Sequence, residues 1–237
     1  MYNTVLGAKP ILPDGRSFYY SDYNFDGRKV YSNYRWPCCS GTLPQVAADY
    51  RICAYFREPQ GLFVNLYTPS TVRWNQQGLP ASLTQTSSYP LDGQIRFDLT
   101  LPRSAEFTLN WRIPAWAEGA SLAVNGKMEL TDLVPESFVA IHRNWNNGDR
   151  IELELPMKLR LEHVDSLHSE TVALLRGPLV LFPITRSAPR ISHTDLLAAS
   201  STASGKWEIA LPTGPITFLP FTAIEDEQYS TYLVTSG

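Results

Sequence analysis

The chain has 237 residues, of which 43% are hydrophobic and 18% are charged, a composition typical of an ordinary globular protein with one large or two small domains. Its formal net charge of −3 gives no electrostatic reason to expect nucleic acid or an anionic membrane as a partner. No apolar run approaches the roughly 20 residues of a membrane span. The first residues lack the regions of a secretory signal, so the cytoplasm is the default expectation for location.

The most unusual feature of the N-terminal segment is a pair of adjacent cysteines, Cys38 and Cys39. Residues 1–40 are rich in Tyr, Asp, Asn, Gly and Pro and show neither helical nor strand periodicity. Two thiolates that converge from one turn can hold a metal such as zinc. A coordinated thiolate stays ionised, which a sulfur nucleophile also needs. The alternative is two small buried hydrophobes, which is what free cysteines usually are.

One helix is predicted, from Thr42 to about Phe56. Thr42 can cap it, Pro44 falls in its first turn, and Gln45 completes a capping-box spacing. The cysteine pair would then lie just upstream of the helix N terminus, where the helix dipole favours thiolate. The third cysteine, Cys53, falls inside this helix and is expected in the core. An odd number of cysteines excludes a complete disulfide framework.

From Leu62 onward the apolar residues alternate with a period of two, which predicts strands. The clearest alternating segments are 62–67, 94–99, 106–113, 121–124, 137–142 and 150–155. Between two of them, Asn125-Gly126 predicts a two-residue hairpin turn. Short alternating strands at this spacing are typical of an antiparallel β-sandwich.

A second β-rich block follows in residues 159–237. Strands are predicted at 159–164, 171–175, 179–182, 216–219 and 230–234, with a short helix at 193–199. The fold class is therefore mainly β beyond residue 61. We predict one antiparallel β-sandwich over residues 62–158 and a second over 159–237, with a strand of the second able to return to the first.

Other catalytic signatures are absent from the sequence. There is no phosphate-binding glycine loop, no dinucleotide fingerprint and no nucleophile elbow. The histidines are His142, His163, His168 and His193. His142 and His163 lie in strand patterns without Cys or acids at ligand spacing, so we expect them to face solvent or to be hydrogen-bonded. Nothing marks a Ser-His-acid triad, which is recognised by geometry and not by order in the chain.

Tryptophans offer another kind of candidate site, because indole rings can stack on sugar rings. Trp74, Trp116 and Trp145 are left open as such candidates. Trp111 is predicted to be core, because it alternates with the other apolar residues of its strand.

Several segments, in order along the chain, resemble one enzyme family. They are Trp36–Thr42, Leu62–Tyr67 with Pro69-Ser70, Trp111–Trp116, Val124–Gly126, Trp145–Asp149, Leu153–Met157, Leu174–Val180, Pro220-Phe221 and Tyr229–Tyr232. Together they resemble the β-L-arabinofuranosidase family of glycoside hydrolases and its uncharacterised relatives. The resemblance extends over nearly the whole chain.

The resemblance implies a fold and a site. Enzymes of this family pair an (α/α) helical barrel, which holds the active site, with β-sandwich domains after it. Residues 1–61 would then be a short remnant of the barrel with one helix. By the same resemblance, Cys38 would be the nucleophile and a zinc ligand, and Cys39 a second zinc ligand. A covalent intermediate that water later hydrolyses gives retention of configuration.

The chain also departs from the family pattern. The family's other zinc ligands, a glutamate and a cysteine, and its general-acid glutamate precede the cysteine pair by a long segment. Here 37 residues precede Cys38, no Glu-x-Cys occurs, and Cys53 follows the pair. We therefore expect weak or substoichiometric zinc and little glycosidase activity from this polypeptide alone. Exposed apolar surface on the barrel remnant would favour homo-oligomers.

Two other functions stay open at this point. The chain can be a stand-alone carbohydrate-binding β-sandwich module whose exposed aromatic residues bind sugar. It can also be a small esterase-like hydrolase that uses Cys38, Ser40 and one of the histidines.

Overall fold

The computed structural model describes residues 13–14, 16–18, 28–29, 31–32, 38–202 and 205–236, and it describes 17–18, 31–32 and 38–44 by their backbone alone. Within these residues the chain is mainly β, as predicted, with few helices. None of the helices in the described ranges combines the length and apolar character needed to cross a membrane. Contacts divide the chain into two compact units, residues 49–158 and residues 1–48 with 159–237. Of the predicted barrel remnant, residues 1–61, most of the first 37 residues lie outside the described residues.

The N-terminal elements are a short ladder and one long helix. Strands β1 (Ser17–Phe18) and β2 (Tyr31–Ser32) pair antiparallel. Helix α1 spans Cys38–Ile52, so it begins four residues earlier than predicted and contains the cysteine pair. The sequence favours a later start because Pro44, inside α1, cannot donate a helical hydrogen bond to residue 40.

Residues 49–158 form two facing sheets. Their strands are β3 (Tyr55–Glu58), β4 (Gly61–Val64), β5 (Ser70–Gln76), β6 (Leu79–Ser87), β7 (Gln94–Thr100), β8 (Ala105–Ile113), β9 (Ala120–Val124), β10 (Lys127–Leu133), β11 (Ser137–Trp145) and β12 (Arg150–Glu154). One sheet has six antiparallel strands in the order β10-β9-β12-β7-β6-β5. The other has four, in the order β11-β8-β4-β3, and its β4–β8 pair is parallel. The sandwich is therefore mixed and not purely antiparallel.

Aromatic side chains join the two sheets into one core. The ring centroids of Trp74 and Phe107 are 6.1 Å apart, and those of Phe97 and Trp111 are 6.0 Å apart. Each pair bridges the two sheets. Trp111 is buried, which confirms its prediction as a core residue. Trp74 and Trp145 are buried as well, so neither can stack on a sugar.

The Asn125-Gly126 hairpin is confirmed. Val124 of β9 pairs with Lys127 of β10 across this two-residue loop. Both loop residues have positive φ, 53° for Asn125 and 77° for Gly126. This is the backbone of a type I′ turn, which explains why Asn and Gly stand there.

Residues 159–236 form one sheet instead of the predicted second sandwich. Its strands are β13 (Leu159–His163), β14 (Thr171–Arg176), β15 (Leu179–Pro183), β16 (Ile191–Ser192), β17 (Ser200–Ser201), β18 (Trp207–Leu211), β19 (Gly214–Pro220) and β20 (Leu233–Ser236). Helix α2 (His193–Leu197) places Leu196 in the same buried cluster as Val172 and Phe218. Leu196 of this helix therefore supplies part of the cover of the apolar side of the sheet. Among the described strands of this block, none joins the sheets of residues 49–158.

Lys29 fastens the N-terminal residues to this C-terminal block. Its Nζ donates hydrogen bonds to the carbonyl oxygens of Phe221, at 2.8 Å, and Ile224, at 2.6 Å. The same Nζ lies 4.2 Å from the centre of the Phe221 ring. Burial lowers the pKa of Lys29 to about 8, against the opposing effect of Glu227 and Glu225.

Candidate functional site

The cysteine pair occupies the first two positions of α1. The first four N–H groups of a helix have no intrahelical acceptor, and the helix dipole adds roughly half a positive charge at this end. Both effects favour a thiolate over a thiol at such positions. The backbone position of Cys38 and Cys39 therefore suits a reactive or metal-bound sulfur.

Cys53 lies at the opposite end of the helix and is exposed, so its prediction as a core residue is wrong. The helix ends at Ile52, and the chain turns so that Ala54 is buried instead. At 1.5 Å per residue, the fifteen positions from Cys38 to Cys53 correspond to roughly 20 Å. Cys53 therefore cannot share a metal ion with the pair.

The cysteine pair offers two potential metal ligands. Among the side chains that the structure describes, no three His, Cys, Asp or Glu residues are grouped so that they could hold a metal ion. Zinc sites use three or four protein ligands. Cys38 and Cys39 are suitable in chemical kind, but two thiols do not complete such a site.

The histidines are all exposed and form no catalytic pair in the described part of the chain. His142 is hydrogen-bonded through Nδ1 to Thr108 Oγ1 at 3.0 Å, and its Nε2 lies 3.3 Å from a Glu106 carboxylate oxygen. This confirms the prediction for His142. His168 Nδ1 contacts the Asp165 carboxylate at 2.8 Å, and that hydrogen bond lowers the pKa of Asp165. These contacts do not support the esterase-like alternative, since no described Ser or Cys side chain is hydrogen-bonded to a histidine.

His163 and His193 contact each other only through their rings. Their ring centroids are 6.2 Å apart. Both side chains are exposed, so the solvent-facing alternative predicted for His163 is confirmed.

Three tyrosines in the unit of residues 49–158 are buried or half-buried, namely Tyr55, Tyr67 and Tyr89. Gln85 donates through Nε2 to Tyr55 Oη at 3.1 Å and to the carbonyl oxygen of Thr68 at 2.6 Å. The rings of Tyr67 and Tyr89 meet edge to face at 5.8 Å. Burial raises the pKa of Tyr89 to about 12 and also raises the pKa values of Tyr55 and Tyr67. These phenols stay protonated at neutral pH, so they supply no base there, and their contacts stabilise the fold.

Asp149 links two of the segments that carried the resemblance. Its side chain is only 5% exposed. One carboxylate oxygen accepts a hydrogen bond from Asn125 Nδ2 at 2.9 Å, and the other accepts one from the Asn146 backbone N–H at 2.8 Å. Asn125 Oδ1 in turn accepts from the Arg150 N–H at 2.9 Å. These polar residues lock two turns together, so their role is structural.

An aromatic row lies on the outer face of the four-stranded sheet, and the sequence reasoning missed it. The row consists of Phe56, Phe63 and Phe138. Phe56 is 49% exposed and Phe138 is 44% exposed. Phenylalanines at outward positions of the strand alternation indicate such a row, but the helix predicted from Thr42 to about Phe56 includes the first of them. Trp116, the remaining tryptophan candidate, packs partly buried against the core.

Comparison with protein families matches part of the sandwich unit. Residues 61–157 match the family described as "Beta-L-arabinofuranosidase, GH127 middle domain". The chain is also 29% identical, over 189 residues, to a non-reducing end β-L-arabinofuranosidase of Bifidobacterium longum subsp. longum. That alignment includes 70% of this chain and 28% of the relative, so the chain spans less than a third of that protein's length.

Solved structures share the fold. A GH127 β-L-arabinofuranosidase from Geobacillus stearothermophilus T6 superposes with a TM-score of 0.72 at 22% identity, covering 87% of this chain and 39% of that one. A structure described as a glycoside hydrolase gives a TM-score of 0.75 at 23% identity, covering 100% of this chain and 47% of that one. In both cases the shared fold occupies less than half of the solved chain.

Proposed function

We propose that the chain is part of a retaining glycoside hydrolase that acts on a carbohydrate substrate, because it is similar to GH127 β-L-arabinofuranosidases. In this proposal Cys38 is the nucleophile and Cys39 assists it. The barrel remnant inferred for residues 1–61 belongs to the same proposal. A homo-oligomer and a cytoplasmic location stay predictions.

The reaction proceeds through two substitutions at the sugar. The Cys38 sulfur attacks the anomeric carbon, a C–S bond forms, and the bond from that carbon to the leaving-group oxygen breaks. The leaving oxygen takes a proton from a general acid that lies outside the described residues. Water then attacks the same carbon and gives a proton to the deprotonated general acid, which now acts as a base, and the sulfur leaves as thiolate. Two inversions therefore give net retention.

Zinc, when bound, would keep the attacking sulfur ionised. Cys38 and Cys39 would each supply one ligand, and further ligands would come from outside the described residues. The helix N terminus supports the same ionisation without the metal, because its free N–H groups favour negative charge.

One observation carries the proposal. The adjacent cysteines occupy the first two positions of a 15-residue helix, in the same chain as a segment that matches the GH127 middle domain.

The test measures thiol chemistry, zinc and hydrolysis on one preparation, with Cys38→Ser, Cys39→Ser and Cys53→Ser as variants. Cys53→Ser is the matched control, because Cys53 is exposed at the far end of the same helix. We expect Cys38 to be alkylated by iodoacetamide at a lower pH than Cys53. We also expect weak zinc binding that both pair variants abolish and Cys53→Ser does not.

Two outcomes would contradict the proposal. If Cys38 is alkylated no faster than Cys53 at any pH, the thiol is not activated. If hydrolysis of a nitrophenyl β-L-arabinofuranoside persists in Cys38→Ser, another residue is the nucleophile. Enzyme-like rates or tight equimolar zinc in the wild-type chain would contradict the expectation that the site is incomplete in this polypeptide.

A further inference from the structure

We propose that the aromatic row on the outer face of the four-stranded sheet is a carbohydrate-binding surface, separate from the cysteine pair. This inference takes its substrate class from the proposed function. Its location and shape are set by the strand register of the four-stranded sheet.

Strand register brings the three phenylalanines of the row together. Phe56 of β3 is the direct partner of Phe63 of β4, which places their Cβ atoms about 5 Å apart. Phe63 pairs with Asn110 of β8, and Asn110 pairs with Ala140 of β11, two residues from Phe138. The Phe63 and Phe138 rings meet at 5.2 Å with their planes at 81°. The row therefore crosses all four strands, or about 14 Å.

Polar side chains border the row on both sides along the strands. On one side, Arg112 pairs with Phe138 across β8 and β11, and its Nε is fixed by a 2.7 Å hydrogen bond to the carbonyl oxygen of Asn65. On the other side, His142 is held by Thr108 and Glu106. A sugar ring presents C–H groups on its faces and hydroxyl groups at its edge. An apolar strip between fixed polar groups matches that distribution.

The size of the row decides between a sugar and a protein as its occupant. An aromatic side chain can bury roughly 150–250 Å². Because Phe56 and Phe138 are each about half exposed, they offer about 200 Å² between them. A stable protein interface needs about 800 Å² on each partner. More than half of such an interface is apolar, so the row supplies only about half of the apolar area that a second copy of this chain would need. It suffices for one or two sugar rings.

The experiment titrates the protein with linear arabino-oligosaccharides and follows backbone amide chemical shifts by NMR, with cello-oligosaccharides as a control glycan. Variants are Phe56→Ala, Phe138→Ala and Phe138→Tyr. Tyr232→Ala is the matched control, because Tyr232 is another exposed aromatic side chain, at 51%. Cys38→Ser separates this surface from the cysteine pair.

We expect saturable binding of the arabino-oligosaccharides that shifts amides of β4, β8 and β11. Each Phe→Ala change should weaken it about tenfold, whereas Phe138→Tyr, Tyr232→Ala and Cys38→Ser should retain it. Circular dichroism of each variant confirms that the sandwich is folded.

Three results would contradict the proposal that the aromatic row binds carbohydrate. If the wild-type protein binds neither glycan, the row is not a carbohydrate-binding surface. Binding that is lost in Cys38→Ser and kept in Phe138→Ala assigns the sugar to the cysteine pair, which supports the proposed function and refutes this inference. A change of oligomeric state in Phe138→Ala, with sugar binding unchanged, makes the row a contact between copies.

Discussion

Replacing Asp149 with alanine is expected to destabilise the sandwich of residues 49–158 by about 3–4 kcal/mol. Asp149 lies after β11 and before β12, and its carboxylate accepts from Asn125 Nδ2 and from the Asn146 N–H. Its backbone also binds β7, because the Asp149 carbonyl oxygen accepts from the Leu99 N–H at 2.9 Å. The side chain therefore joins the β9–β10 turn to the β11–β12 turn.

The magnitude follows from those two hydrogen bonds. A hydrogen bond to a charged group contributes about 1.5–3 kcal/mol, so two contribute about 3–6 kcal/mol. Asn146 is exposed, so water can replace the carboxylate at its N–H, and the loss falls in the lower part of that range. For a chain of this size each kcal/mol lowers the melting temperature by about 2–4 °C, so the decrease should be roughly 10 °C.

Urea unfolding followed by tryptophan fluorescence measures this loss, because Trp74, Trp111 and Trp145 are buried in the same unit. The control is Glu152→Ala, which removes an exposed acid of β12 and should change the free energy of unfolding by less than about 0.5 kcal/mol. A double-mutant cycle with Asn125→Ala should give a coupling energy of at least about 1 kcal/mol. A loss below about 1 kcal/mol in Asp149→Ala, or no coupling with Asn125, would refute the reasoning.

Two further changes probe the same unit. Gly61→Ala should destabilise it by about 2 kcal/mol or more, because the new Cβ would lie 1.9 Å from the Thr108 carbonyl oxygen; an unchanged melting temperature would show that the β4–β8 contact relaxes freely. The second change is Tyr89→Phe at alkaline pH. Burial raises the pKa of Tyr89 to about 12, so its stabilising effect is complete below the unfolded pKa of about 10 and is lost as pH rises through 12. Phenylalanine should remove roughly 3 kcal/mol of the alkaline loss of stability, and an identical pH dependence in both proteins would contradict this.

Strands with an apolar inward side were predictable from the sequence. In β7 and β8 the inward positions carry Ile95, Phe97, Phe107 and Leu109, and all four are buried. Alternation of this kind has one explanation, a strand with one side in the core. The Asn125-Gly126 turn was predictable for a local reason, because few residues tolerate two successive positive φ angles.

Strands β5 and β6 were not predicted, and buried glutamines are one reason. Gln76 and Gln85 occupy inward positions and are buried, which breaks the apolar alternation. Gln76 accepts from Trp74 Nε1 at 3.1 Å and donates to the carbonyl oxygen of Pro59 at 3.1 Å. A buried amide is stable only when its partners are in place. Because those partners include backbone groups outside the strand, a local pattern cannot reveal them.

The predicted boundaries of helix α1 are wrong for a different reason. Thr42, Pro44 and Gln45 form a plausible helix start, but local capping preferences are weak compared with the rest of the fold. At the other end, the apolar residues of Tyr55–Glu58 fit either a helix or a strand. Pairing of this segment with β4 decides for the strand. That choice moved Phe56 onto the sheet, where it joins the aromatic row.

The segments that made the family recognisable mostly build the fold. Trp111 and Trp145 fill the core of the sandwich, and Asp149 locks two turns. These roles belong to the sandwich itself and do not depend on hydrolysis of a sugar. In the proposed reaction the chemistry rests on Cys38 and Cys39, which lie outside the segment that matches the family. The similarity of the sandwich therefore says nothing about the proposed chemistry, and the alkylation profile of Cys38 is the measurement that tests it.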